Sequence, residues 1–316
     1  MAAVGSAFGK LILFGEHAAV FGHPAIGVQL TERTTVTIHG APAGKWDLEE
    51  VPPEDRQTVQ RLIDKLEALL PHLAPSGKAA IHIESSVPRG IGMGSSAALC
   101  SAMAAAFLNL SDGGEPDGSL ARTWRLAHDL ETIFHGTPSG IDTGLSLLKG
   151  ITAFSPQPPA LPRWERLRCA PLWLVVAALP RSGDCAALVR NIGDRMRGGD
   201  QDVREALSIL GKIAADARQE LTSGGSAALV GRLADRAMEV LTHLGLGHPL
   251  LERLLDEGRQ SGALGGKLSG AGGGGAFFLI CADAAAAGET TVRLRKAASR
   301  SRIKLVALPR PLCIES

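Results

Sequence analysis

The chain predicts an α+β fold, and three observations carry that expectation. Strand-like runs rich in Val, Ile and Thr interleave with amphipathic helices in the first half. The second half reads strand, several helices, strand, helix, strand, an order that suits an antiparallel sheet with helices on one face. No internal repeat organises the 316 residues.

Taken in order, "GKLILFG" (9–15) and "TTVTIHG" (34–40) read as strands. "VQRLIDKLEALL" (59–70) spaces Leu62, Ile63, Leu66, Leu69 and Leu70 as one face of a helix. "AAIHIESSV" (79–87) alternates like a half-buried strand, and two helices follow near 95–110 and 119–134, the second stopping at Gly136. "SPQPPALPRWER" (155–166) holds four prolines and predicts a linker, which divides the chain into lobes at 1–165 and 166–316. Beyond it come a strand at 172–179, helical segments between about 184 and 260, a Gly-rich stretch, the strand "AFFLI" (276–280), an Ala-rich helix and a last strand near 303–308.

The bulk properties exclude several function classes. A formal net charge of +1 makes no electrostatic case for nucleic acid or an anionic membrane. Cys100, Cys169, Cys185, Cys281 and Cys313 are odd in number and scattered, which suits reduced thiols better than a disulfide framework or a zinc site. No apolar run is long enough to span a bilayer, and the N-terminus lacks signal-peptide organisation, so a soluble, cytoplasmic protein is expected.

Four stretches carry chemistry. "VPRGIGMGSSAAL" (87–99) crowds Gly90, Gly92, Gly94, Ser95 and Ser96 at the mouth of an Ala-rich helix. It matches the G-x-G-x-x-G fingerprint only weakly, and the one near miss to Walker A, "GGKLS" (265–269), fails because Leu268 holds the hydroxyl position. What remains is either a plain helix cap or a phosphate grip made of backbone amides and a helix N-terminus. "ETIFHGTPSGIDTG" (131–144) sets Glu131 on a helix and Asp142 across a turn, an arrangement open to a metal ligand and a base, or to a solvated Glu and a turn-forming Asp. "GKLILFGEHAAVFGHPAIG" (9–27) carries Lys10, Glu16 and His17 along and just beyond an apolar strand. "GGKLSGAGGGGAFFLI" (265–280) has seven glycines between 265 and 275 and demands close backbone approach.

Together "GKLILFGEHAAVFGHPA", "VPRGIGMGSSAAL" and "KLSGAGGGGAFF" resemble the three motifs of the GHMP kinase superfamily, in order and across nearly the whole chain. "FGEHAAVFGHPAI" and "HGTPSGIDTG" are most like its mevalonate kinase branch, ahead of galactokinases, phosphomevalonate kinases and mevalonate diphosphate decarboxylases. The resemblance implies an α+β, two-lobed GHMP kinase fold, with a ribosomal protein S5 domain 2-like N-terminal lobe and a ferredoxin-like α/β C-terminal lobe. It implies an ATP- and Mg²⁺-dependent phosphotransferase of isoprenoid biosynthesis that acts on the primary hydroxyl of mevalonate. Its partners would be mevalonate and ATP, with no nucleic acid and no membrane, and a homodimer is admitted.

By the same resemblance Gly90, Ile91, Gly92, Met93, Gly94, Ser95, Ser96 and Ala97 would hold the ATP phosphates. Ser95 or Ser96, with Glu131, would hold the metal. Asp142 would take the hydroxyl proton, and Lys10 would stabilise the ionised Asp142 and the transferring group. Glu16, His17, Arg181, Gly270, Ala271 and Gly272 would line the acceptor's side. One departure stands out: where the family carries Pro-Arg-x-Thr, this chain has "LPRSGD", with Gly183 at the Thr position and Ser182 beside it. That keeps another hydroxyl acceptor, such as phosphomevalonate or a sugar, as the alternative; a non-catalytic ligand-binding member is the third reading.

Overall fold

A computed structural model of the chain describes residues 2–40, 45–71, 78–111, 119–181 and 185–314. These form two compact units that exchange chain segments: Met1–Lys10, Gln29–Arg89 and Gly94–Leu148 in the first, Leu11–Val28, Gly90–Met93 and Lys149–Ser316 in the second. Two long strands, β1 (Ala3–Phe14) and β2 (Ala25–His39), pass from one unit to the other.

In the first unit β4 (Lys78–Ser85) pairs antiparallel with β2, setting Val36 opposite Ile83 and Ile38 opposite Ile81. The short β3 (Lys45–Asp47) adds in parallel on its other side. Val36, Ile38 and Ile81 bury against α1 (Arg56–Leu69), α2 (Ser95–Ser111) and α3 (Ser119–Glu131) in a core that includes Leu62, Ile63, Leu66, Phe107 and Leu130. Burying several such side chains at about 2 kcal/mol each is what holds the layers together. Leu62, Ile63 and Leu66 of α1 fill this core as the helical spacing predicts, whereas Leu69 is left exposed at the helix end. The alanines of α2 have a distinct use: β1 lies so close that a Cβ on Gly5 would stand 2.1 Å from the Ala102 carbonyl oxygen and 2.3 Å from the Ala106 nitrogen.

In the second unit a four-stranded sheet, antiparallel throughout, runs in the order β10 (Ala307–Ile314), β7 (Leu172–Leu179), β9 (Gly275–Cys281), β8 (Gly265–Leu268). Every residue of β9 and all of β7 but Trp173 are buried, which explains why both read as continuous apolar runs and not as alternating ones. Helices α7 (Ala227–His243), α8 (Pro249–Arg259) and α9 (Ala284–Arg300) pack on this sheet, and α6 (Gln201–Thr222) packs on α7. The remaining helix, α5 (Cys185–Arg197), precedes α6 and packs against it.

Three expectations are corrected. The proline-rich stretch is a hairpin: β5 (Ile151–Gln157) pairs antiparallel with β6 (Ala160–Arg166), and β5 also pairs with the start of β2. Pro158 and Pro159 occupy the turn, Pro156 sits where the register shifts, and Pro162 lies on the outermost strand, where a missing N–H is tolerated. The last strand begins at Ala307, not 303, and runs through Pro309 and Pro311, again on a sheet edge. Helix α3 ends at Glu131, because the amides of Ile133 and Phe134 turn back to the carbonyls of Leu130 and Glu131 at 3.0 Å each.

Candidate active site

Three ionisable side chains, Lys10, Asp142 and Glu131, gather in the first unit. Lys10, near the middle of β1, is buried among apolar neighbours and puts its Nζ 2.9 Å from Asp142 Oδ2. Asp142 is not on a loop but in the first turn of a short helix, α4 (Ile141–Leu147), entered through Gly140 at φ 78°. Trp124 Nε1 donates to the Gly140 carbonyl at 2.8 Å and so ties that entry to α3. The Asp142 side chain keeps 32% of its surface exposed while Lys10 keeps 4%, so the carboxylate is reachable and the ammonium behind it is not.

Glu131, the last residue of α3, is 1% exposed, and among the described residues neither carboxylate oxygen has a hydrogen-bond partner. Burial, then repulsion from Asp142, pushes its carboxyl up to about 8 against a smaller opposing pull from Lys10. Its field reaches Cys100 of α2, whose buried thiol is pushed well up, first by burial and then by Glu131. Two unpartnered, buried oxygens are a conspicuous expense unless a cation is to meet them.

At the start of α2, Ser95 and Ser96 are partly exposed and Ala97 is buried. Gly94 precedes them at φ 80°, and a Cβ there would stand 2.6 Å from Lys10 Cγ. Gly94 therefore meets two demands at once, a left-handed backbone and the passage of the Lys10 stem. Hard oxygen donors, from Glu131 and a serine hydroxyl, fit Mg²⁺, which keeps several waters and phosphate oxygens among its six ligands. Among the described residues no cluster of three or more His, Cys, Asp and Glu side chains is placed to hold a metal ion.

A second group lies within the other unit. Glu16 and Lys267 form a buried ion pair, both side chains sealed from solvent, and Lys267 Nζ also donates to the Leu268 carbonyl at 2.8 Å. Burial holds the Lys267 ammonium below its usual range, with Glu16 opposing. His17 follows at φ 58°, unusual for a residue with a side chain, and its Nε2 lies 3.2 Å from the Ala271 carbonyl oxygen. Burial, reinforced by Lys267, pushes the imidazole down to about 4, so it is neutral at pH 7 and donates from Nε2.

Gly270, Ala271 and Gly272 belong to the loop joining β8 to β9. At the base of that loop Ser269 Oγ accepts from Ile12 N and donates to Ile12 O, both at 2.9 Å. Arg181 follows β7, its guanidinium between Gly92 and Gly275: a Cβ on Gly92 would stand 2.8 Å from Nη2, and one on Gly275 3.0 Å from Nε. Among the described residues its Nε is buried without a partner. The segment Gly90, Ile91, Gly92, Met93 is anchored here by the Ile91 carbonyl, which accepts from Ala276 N at 2.7 Å. Ser182 and Gly183 lie outside the described residues.

Lys267 is the residue sequence reasoning passed over, having been read only as part of a failed Walker A match. Its signal was a lone lysine in an apolar strand directly before the glycines. Cavities of about 730 and 250 Å³ occur elsewhere, along α9 and beside the β5–β6 hairpin, and neither is lined by these residues.

Comparison with known proteins agrees with the geometry. The GHMP kinases N terminal domain model matches residues 57–150 and the GHMP kinases C terminal model residues 214–299, between them more than half of the chain. A mevalonate kinase of Methanothermobacter thermautotrophicus is 29% identical over 272 residues, covering 84% of this chain and 86% of that protein. One from Pyrococcus abyssi is 28% identical over 295 residues, covering 84% and 85%. Among solved structures, L. major mevalonate kinase in complex with R-mevalonate superposes with a TM-score of 0.79 at 22% identity, covering 100% of this chain and 96% of that one. Streptococcus pneumoniae phosphomevalonate kinase in complex with phosphomevalonate and AMPPNP gives 0.77 at 15% identity, covering 98% and 99%. At those identities the structures speak for the fold.

Proposed function

The chain belongs to the GHMP kinases, and from that premise we propose that it transfers the γ-phosphoryl group of ATP to the primary hydroxyl of mevalonate, giving 5-phosphomevalonate for isoprenoid synthesis. The observation that carries the reading is the Lys10–Asp142 pair at 2.9 Å beside the unpartnered Glu131 carboxylate. The curated relatives of matching length are mevalonate kinases, which supports the choice of acceptor.

In this reading Asp142 accepts the proton of the acceptor hydroxyl on its exposed carboxylate, held in position by Lys10 and by the turn that Trp124 fixes. Lys10, desolvated in its strand, keeps Asp142 ionised and offers positive charge to the equatorial oxygens of the phosphoryl group in flight. Glu131 and Ser95 or Ser96 would hold Mg²⁺, which would supply neutralisation of phosphate charge. The amides of 90–97 bind the phosphates at the mouth of α2. Arg181, with its planar fork, takes the acceptor's carboxylate, and neutral His17 fixes its hydroxyls, alongside the loop of Gly270, Ala271 and Gly272, while Glu16, sealed against Lys267, does not reach the acceptor and stands behind His17.

Among the described residues no helix is long and apolar enough to cross a membrane, and Cys100, Cys169 and Cys281 are thiols, which supports a cytoplasmic site of action. A homodimer is proposed with it, and sedimentation velocity reads it directly. The test of function is a coupled ADP-release assay with mevalonate, phosphomevalonate and galactose as acceptors. Turnover at least about tenfold higher in kcat/KM with mevalonate is expected; robust turnover with another acceptor and none with mevalonate overturns the reading.

A further inference from the structure

The segment 11–17 is fastened to the segment 267–271 by three side-chain links inside one unit. Ser269 closes a two-way hydrogen bond on the backbone of Ile12, Lys267 pairs with Glu16, and His17 Nε2 bonds the Ala271 carbonyl. The middle link is the unusual one. A lysine and a glutamate with 0% and 1% side-chain exposure are taken out of water for an attraction that an apolar pair of equal volume would replace without loss of stability. Its place in the chain suggests what it is retained for. Glu16 is the residue immediately before His17, whose backbone sits at φ 58°, a conformation a histidine keeps only where its neighbours impose it. The amide of Ala18 bonds the Glu16 carbonyl at 2.6 Å, and that of Ala19 bonds Gly15 at 3.0 Å, so the turn pivots on the Glu16 peptide. Lys267 holds the pivot from the other side, its third contact being the face of Phe278 at 5.5 Å.

We propose that Lys267 is a positioning residue: through its buried pair with Glu16 it holds His17 in its positive-φ conformation and docks the imidazole, as a single tautomer, on Ala271. Glu16 thereby serves acceptor recognition from behind, and His17 presents Nδ1 as a fixed acceptor. The inference rests on the proposed reading for its substrate, but the position of His17 is a property of the protein by itself. Lys267 also adds to the burial that keeps the ring uncharged, against the Ala271 carbonyl, which favours the charged form.

The decisive variant is Glu16→Gln combined with Lys267→Met, which removes both charges together; Lys267→Met by itself strands a buried carboxylate and is prone to unfold. Glu16→Gln, which keeps the lysine and a hydrogen-bond acceptor, is the milder second variant. Two readouts apply. Imidazole ¹⁵N shifts of His17 in the protein without substrate report the tautomer. Steady-state kinetics separate the acceptor's KM from kcat and from the KM of ATP. The expected result is a folded double variant whose His17 tautomers mix and whose KM for mevalonate rises about tenfold or more, with kcat and the KM of ATP within about threefold, and a smaller change of the same kind in Glu16→Gln. His17 shifts identical to wild type in both variants overturn the proposal. Should wild type turn over an acceptor other than mevalonate, the proposed function fails while the NMR result still decides the role of Lys267.

Discussion

Replacing Glu131 by Gln separates what the first site costs from what it does. The carboxyl is raised from 4.5 to about 8 by burial and by Asp142, so between those values the folded protein keeps a proton that the unfolded chain releases. The folded state binds more protons there, and stability therefore falls as pH rises through the window. At 1.36 kcal/mol per unit, integrating from pH 5 to pH 8 gives about 3 kcal/mol of stability lost by wild type and not by the variant, whose amide does not titrate. The measurement is the urea midpoint at pH 5 and pH 8, with chelator present, for both proteins; the difference of differences isolates Glu131 from every other titrating group. Wild type should lose about 3 kcal/mol more than Glu131→Gln across this interval. The variant should also lose about 10²-fold or more in kcat, because an amide would not neutralise the Mg²⁺ proposed to sit at Glu131. Parallel pH dependences for the two proteins would refute the buried, unpartnered placement of Glu131 on which the site rests.

Three further outcomes follow from the same geometry. Asp142→Asn should lower kcat by about 10²–10⁴-fold and, in urea titrations at pH 7, lower stability by about 1–3 kcal/mol, since the amide oxygen can still accept from Lys10 but leaves its buried ammonium without a counter-charge. Gly94→Ala would drive a Cβ to within 2.6 Å of Lys10 Cγ at φ 80°, so circular-dichroism melts should show about 1–3 kcal/mol of destabilisation and assays a loss in kcat, not in the acceptor's KM. His17, held down to about 4 by burial, accepts its proton in the unfolded chain first. Stability should thus fall as pH drops from 6.5 towards 4, by about 3 kcal/mol, and His17→Gln should flatten that limb of the denaturation profile.

Much of this protein was legible in its sequence, for reasons that are local. The strands at 172–179 and 276–280 and the helix at 59–70 follow from runs and spacings of apolar side chains, which report burial directly. The motifs around Lys10, Ser95, Glu131, Asp142 and the glycines 270–275 were visible as motifs because the phosphate and metal chemistry proposed for them would demand particular residue types close together in sequence. Prolines misled at 155–166 and 309–311, since a proline's missing N–H matters only if a neighbouring strand requires it, and sheet edges are not written in the sequence.

Tertiary structure decided the rest. It alone sets Lys10 against Asp142, 132 positions away in the chain, leaves the oxygens of Glu131 without partners among the described residues, and makes Gly94 and Gly5 necessary because a side chain or a helix backbone passes where a Cβ would be. It also turns Lys267, unremarked among glycines, into the buried counter-charge of Glu16. Residue types are properties of positions, and a sequence displays them; pairing, desolvation and close approach belong to positions far apart in the chain, and exist only once the chain has folded.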